Sequence, residues 1–128
     1  MVEELCDYIN ESWDSHSAIH LSSYVMWRLN WIHPFTDGNG RTSRAASYLV
    51  LCLRLGYLLP GKKTIPDQIA ENRSPYYKAL EKADEYAREG KVDLSEMEHL
   101  LEQLIAKQLL SVLEDAGGDT HHNDLSSR

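Results

Sequence analysis

The chain predicts an all-α fold, a bundle of about five or six helices. Three observations predict it. Apolar residues recur three and four positions apart over long stretches. Glycine, proline and Ser-Pro punctuation falls between those stretches. No segment shows convincing strand alternation, and no internal repeat is visible. The chain has 128 residues, enough for one domain with a core and too few for two ordinary ones. Residues 1–116 read as that domain. Residues 117–128 are polar and glycine-rich and are expected to be a disordered tail.

The elements follow in order. Val2, Leu5 and Ile9 give a first short helix over 2–12, and 12–17 read as a connection. Leu21, Val25, Leu29 and Ile32 mark one face of a helix over 17–32. Pro34 cannot continue it and restricts His33, so that histidine sits at a helix end. The next helix, 41–55, is apolar on most sides and is expected to be central and buried, with Gly56 as its cap. Pro60-Gly61 marks a turn, and 64–72 form a short helix with Pro66 in its first turn. Ser74-Pro75 predicts a helix with Ser74 as N-cap, running to Gly90. Asp93 and Glu96 resemble a capping box. The last helix turns Leu94, Met97, Leu101, Leu104, Ile105, Leu109 and Val112 inward.

Composition excludes several classes. Net charge is −7, which argues against nucleic acid as the main partner. The most apolar run, 45–59, is broken by Arg54 and Gly56 and is too short to span a bilayer. No signal peptide is visible. Cys6 and Cys52 make no disulfide scaffold; Cys52 reads as a small core residue and the compartment as reducing. No P-loop and no HExxH is present. His121 and His122 read as solvated, and His16, His20 and His99 show no usable partner spacing.

Most of the functional information lies in residues 33–44, HPFTDGNGRTSR. His33 is the side chain there whose unperturbed pKa lies near neutrality, so it is the natural general base; a lone histidine there would read first as a helix C-terminal cap, and Asp37 with two arginines beside it reverses that preference. Asp37 offers a hard oxygen ligand, since one carboxylate with substrate phosphates is the usual way to hold Mg²⁺; it also suits an Asx turn. Gly38, Asn39 and Gly40 form an anion nest, the glycines allowing positive φ. Arg41 and Arg44 share a face of the helix that follows. Cations there oppose the helix dipole unless an anion docks, as phosphate does. Phe35 is expected to plug the loop into the core.

The segment 33–44 resembles the signature of Fic-domain proteins, HPFx[DE]GNGRxxR, at every defined position. The resemblance extends over roughly 19–88, through Trp31-Ile32, Gly56-Tyr57 and Arg73-Ser74-Pro75-Tyr76-Tyr77. It implies a Fic-type helical bundle and transfer of AMP from ATP to a Ser, Thr or Tyr hydroxyl of a target protein. His33 would deprotonate the hydroxyl and Asp37 would hold Mg²⁺. Gly38, Asn39 and Gly40 would cradle the phosphates, with Thr42 beside them, while Arg41 and Arg44 bind the outer ones. Tyr76 and Tyr77 match positions lining the nucleotide pocket; either could equally be an ordinary tyrosine at a helix start. Doc-type relatives carry a lysine in the glycine turn and act as kinases, whereas this chain has Gly40.

Three departures stand out. The family's flap, a β-hairpin upstream, is absent or truncated, since 1–32 read as helices. No inhibitory [ST]xxxE[GN] string is found, which leaves open an inhibitory partner or a missing inhibitory segment. Asp84 stands where many relatives have asparagine near the nucleotide. Alternative readings are a nucleotide-binding interaction module or toxin–antitoxin component without turnover, and a hydrolase removing AMP. The resemblance also implies a cytoplasmic protein and leaves homodimerisation open.

Overall fold

The computed structural model describes the backbone of residues 2–32 and 39–127 and the side chains of 2–32 and 40–114. It is built of six helices: α1 Val2–Ser12, α2 Ala18–Ile32, α3 Asn39–Leu55, α4 Ile65–Glu71, α5 Ser74–Arg88 and α6 Ser95–Ser127. No strand occurs among the described residues. None of the helices is long and apolar enough to cross a membrane, within the same limits. The expected boundary near residue 116 lies beyond the last described side chain.

Helix α2 is the organising element. Every side chain from Leu21 to Trp27 is buried, so it is covered on nearly all sides. Met26 packs into one core with Leu51, Ile65, Ile69, Tyr76, Met97 and Leu101. Leu21, Val25 and Trp27 pack into a second, with Leu5, Ile9, Ala83 and Leu94. Each such aliphatic side chain, fully buried, contributes about 1.5–3 kcal/mol. The α2–α3 interface is the most extensive in the molecule. Small residues allow it: Ser22, Ser23, Ser43 and Ser47 are all buried. The Ser22 hydroxyl donates to the Ser47 carbonyl at 2.8 Å, so this hydroxyl joins the two helices and is itself satisfied.

Two turns are closed by positive-φ glycines as expected, Gly56 (φ 87°) and Gly61 (φ 112°). Thr64 caps α4 by accepting from Asp67 N at 3.4 Å. Cys52 is buried and Cys6 exposed, both as free thiols.

Three expectations are corrected. Helix α3 is not buried all round: Leu49 and Leu53 are exposed, while polar Ser43, Arg44 and Ser47 turn inward. The close α2–α3 crossing admits serines and leaves no room for leucines. At α5 the N-cap is Arg73, without a side-chain cap bond, and Ser74 is the first helical residue. In α6, Leu109 is 41% exposed and Gln108 takes the inward place at 0%. The buried series 94, 97, 101, 104, 108, 111 keeps a 3.5-residue period. Carbonyls of the turn before α4 need a donor there, which glutamine supplies and leucine lacks. Gln108 Nε2 reaches the Leu59 and Pro60 carbonyls at 3.1 and 3.2 Å, and its Oε1 accepts from Ile65 N at 3.2 Å.

Candidate functional site

The site is built at the N-terminal end of α3. The helix starts at Asn39, so the first backbone N–H groups there have no intrahelical acceptor and carry the positive end of the dipole. Asn39 and Gly40 are helical, and Gly40 is not among the positive-φ glycines. This corrects the expectation that Gly40 serves by conformational freedom. Its service is space: a Cβ at position 40 would stand 3.0 Å from Arg44 Nη1. The missing side chain lets the Arg44 guanidinium fold back one turn toward the helix start.

Arg44 is only 8% exposed. Its guanidinium carbon lies 5.9 Å from the centre of the Tyr76 ring. Among the described residues no carboxylate comes within salt-bridge distance of it. Arg41, one turn earlier, is exposed, and Thr42 is half-buried.

Tyr76 is 1% exposed and belongs to the core. Its hydroxyl meets the Asn30 amide nitrogen, and Ser43 Oγ lies 3.4 Å away. The same amide nitrogen reaches Ser43 Oγ at 2.7 Å and the Met26 carbonyl at 2.9 Å. Ser43 Oγ in turn donates to the Gly40 carbonyl at 2.9 Å. A chain of polar contacts therefore runs from α5 through α2 to the first turn of α3. It fixes the ring against which Arg44 lies. Tyr77 is half exposed, its ring 5.6 Å from that of Tyr76.

The structure thus brings together Gly40, Arg44 and Tyr76 of the predicted site residues, with Thr42 and Arg41 on the same turn. Tyr77 stays at the surface. His33, Asp37, Gly38 and the side chain of Asn39 lie outside the described residues, as does Phe35. Among the described residues no group of three His, Cys, Asp or Glu side chains is placed to hold a metal ion. Asn30 and Ser43 were not found by sequence reasoning. Both are ordinary helix residues whose side-chain partners on other helices lie 13 to 46 positions away, and no local pattern marks them.

A second polar cluster was also missed. His20 uses both ring nitrogens: Nδ1 donates to Glu98 Oε1 at 2.8 Å, and Nε2 bonds to Tyr8 Oη at 2.8 Å. The ring of His16 stacks on His20 at 4.4 Å. The partners of His20 are 12 and 78 positions away, so the spacing around it in the sequence is uninformative. This cluster ties α1, α2 and α6 together.

The fold and this site define a helical bundle that presents a helix N-terminus backed by a buried arginine. Residues 1–51 match the model of the Fic/DOC family. The chain is 40% identical over 76 residues to a protein adenylyltransferase Fic of Drosophila persimilis, covering 59% of this chain and 14% of the relative. It is 35% identical over 86 residues to the Drosophila willistoni protein of the same name, covering 66% of this chain and 16% of the relative. It is 32% identical over 87 residues to protein adenylyltransferase fic-1 of Caenorhabditis elegans, covering 65% and 15%. The chain therefore spans only about one seventh of the length of these curated relatives. No solved structure matches it.

Proposed function

We propose that this chain is a Mg²⁺- and ATP-dependent protein adenylyltransferase, moving AMP onto a Ser, Thr or Tyr hydroxyl of a target protein, with residues 1–116 as its catalytic domain. The observation that carries this reading is Arg44: a buried guanidinium at the positive end of a helix, with no carboxylate among the described residues to pair it. Burying a cation there costs free energy until an anion arrives. A triphosphate provides one, and the planar fork of arginine suits its oxygens. The names of the similar proteins support the same chemistry.

In this reading Arg44 and Arg41 hold the outer phosphates. The first N–H groups of α3, with Gly38, Asn39 and Gly40, cradle those nearer the reacting phosphorus, and Thr42 lies beside them. Tyr76 fixes Arg44 from behind, and Tyr77 borders the nucleotide. Asp37 would hold Mg²⁺, which when bound neutralises charge on the phosphates. His33 accepts the proton of the attacking hydroxyl. The hydroxyl oxygen bonds to the α-phosphorus, the bond from that phosphorus to the bridging oxygen breaks, and pyrophosphate leaves. Alignment and charge neutralisation supply most of the catalysis in such a transfer.

The test is incubation with a cell lysate and ATP labelled at either the α- or the γ-phosphate. Protein labelled from the α-position, and lost in His33→Ala, is expected. Label only from the γ-position would make the chain a kinase. No label with Mg-ATP still bound would make it a binding module.

A further inference from the structure

Asn30 lies on α2, half-buried, where the first turns of α3 and α5 meet that helix. Its amide nitrogen carries two protons and has three neighbours: the Met26 carbonyl at 2.9 Å, Ser43 Oγ at 2.7 Å and the Tyr76 hydroxyl. The Ser43 proton goes to the Gly40 carbonyl at 2.9 Å. The Tyr76 proton then has Ser43 Oγ as its acceptor, at 3.4 Å. Counting protons gives the network a direction. Asn30 donates once to Met26, and its second proton is shared by Tyr76 and Ser43. Tyr76 donates to Ser43, and Ser43 to Gly40. Of the three side chains only Asn30 brings two protons, and only Asn30 reaches α3 and α5 from a third helix.

Arg44 is bounded by the two ends of this network. Its Cζ lies 5.9 Å from the centre of the Tyr76 ring, and its Nη1 lies 3.0 Å from where a Cβ on Gly40 would stand. Among the described residues no carboxylate holds the guanidinium by a salt bridge. Packing against these two walls therefore aims it. Asn30 sets the first wall directly, through the Tyr76 hydroxyl. It sets the second through Ser43, whose hydroxyl ends on the Gly40 carbonyl. Helix geometry gives that same carbonyl the Arg44 N–H. An apolar residue of equal size at position 30 would keep the volume and take away the anchor common to both walls.

We propose that Asn30 is the positioning residue for Arg44. It holds the Tyr76 ring and the Gly40 peptide at the separation that points the guanidinium to the start of α3, and so sets the grip on the outer phosphates. A planar fork rewards such aim, because both of its N–H groups must meet phosphate oxygens in one geometry. An arginine free to sample other rotamers must give up that freedom on binding, and the affinity falls accordingly. The consequence for the phosphates rests on the proposed adenylyl transfer; the placement of Arg44 by Asn30 does not.

The experiment compares the full chain with Asn30→Leu, Arg44→Ala and the double variant. The first readout needs no nucleotide: nitrogen relaxation of the Arg44 Nε–H group, which reports how tightly the guanidinium is held. It is expected to be ordered in the parent chain and mobile in Asn30→Leu. Tyr76→Phe keeps the ring and deletes the hydroxyl, so it is expected to loosen Arg44 as well and serves if Asn30→Leu does not fold. The second readout is calorimetric affinity for Mg-ATP and for AMP. Asn30→Leu is expected to weaken ATP about fivefold and AMP less than about twofold. In the Arg44→Ala background it is expected to cost nothing further, whereas a merely structural role would cost the same in both backgrounds. Arg44 equally ordered with and without the Asn30 amide, or an ATP loss of equal size in the two backgrounds, would overturn the inference. If Arg44 responds to Asn30 but the parent chain binds no ATP, the proposed function falls and the positioning stands. If α-labelled transfer proceeds while Arg44 ignores Asn30, this inference alone falls.

Discussion

Gln108 Nε2 donates to the Tyr48 hydroxyl at 2.8 Å, across a buried gap between α6 and α3. The same amide serves the turn that leads into α4. A single side chain therefore joins three elements that would otherwise bury polar groups unpaired. Gln108→Ala orphans the Tyr48 hydroxyl, two carbonyls and the Ile65 N–H together. A loss of about 2–6 kcal/mol is expected in urea denaturation, since the bonds to the Leu59 carbonyl and the Ile65 N–H are fully buried and each such group left without a partner costs about 1–3 kcal/mol. Gln108→Leu restores volume but no hydrogen bond, so it is expected to recover only part of the loss.

The Gly61 turn is the second place where one position decides stability. Its φ is +112°, and a Cβ there would meet the Gln108 carbonyl oxygen at 2.5 Å. Gly56 also has positive φ, +87°, but nothing lies within 4 Å of its would-be Cβ. Gly56→Ala is expected to cost about 1 kcal/mol from backbone strain alone. Gly61→Ala adds a clash with backbone and is expected to cost clearly more. Thermal melts of the two variants side by side check the order; equal losses would remove the close approach from the account.

Burial raises the hydroxyl pKa values of Tyr8, Tyr24 and Tyr48 above the ordinary 10.0. The folded state thus favours the neutral phenol. Below pH 10 both states keep the proton, and stability is unaffected. Above it the unfolded chain ionises first, so stability falls as pH rises through the raised values. Denaturation midpoints are expected to hold steady to about pH 9 and then decline. Tyr48→Phe is expected to flatten part of that decline while lowering the plateau, because it also gives up the bond to Gln108.

Much of the fold was legible because helix periodicity and punctuation are local. Val2, Leu5 and Ile9, the Thr64-Pro66 start of α4 and Gly56 after α3 each declare an element within a few residues. What stayed hidden depends on partners far along the chain. Leu109 and Gln108 both fit the periodicity of α6, and only the carbonyls near residue 60 select the glutamine. Leu49 and Leu53 look as buried as Leu51 until the α2–α3 crossing is known. For the site, the motif marked Gly40 and Arg44 and the wider resemblance marked Tyr76, but the Asn30–Ser43–Tyr76 contacts that set them exist only once three helices meet. Asp84 was noticed as a departure from relatives; its bond to Trp27 spans 57 positions and leaves no trace in the sequence.

Gly40 and Arg44 permit a prediction in which stability and binding separate. Gly40 lies in the first turn of a helix, where alanine is the better helix former, by up to about 1 kcal/mol. The atom it would crowd is the end of a flexible side chain, Arg44 Nη1, which can swing aside at little cost. Gly40→Ala is therefore expected to leave the denaturation midpoint unchanged or slightly raised. The displaced guanidinium no longer reaches the helix start, so ATP affinity is expected to fall about tenfold, the loss of one charge-assisted contact. Arg44→Ala removes the same contact and is expected to weaken ATP more than AMP, because the outer phosphates are what it holds. Calorimetric titration of both nucleotides into both variants checks this. Unchanged ATP affinity in Arg44→Ala would detach Arg44 from the phosphates. A large stability loss in Gly40→Ala would mean that Arg44 is fixed by the protein itself and not waiting for an anion.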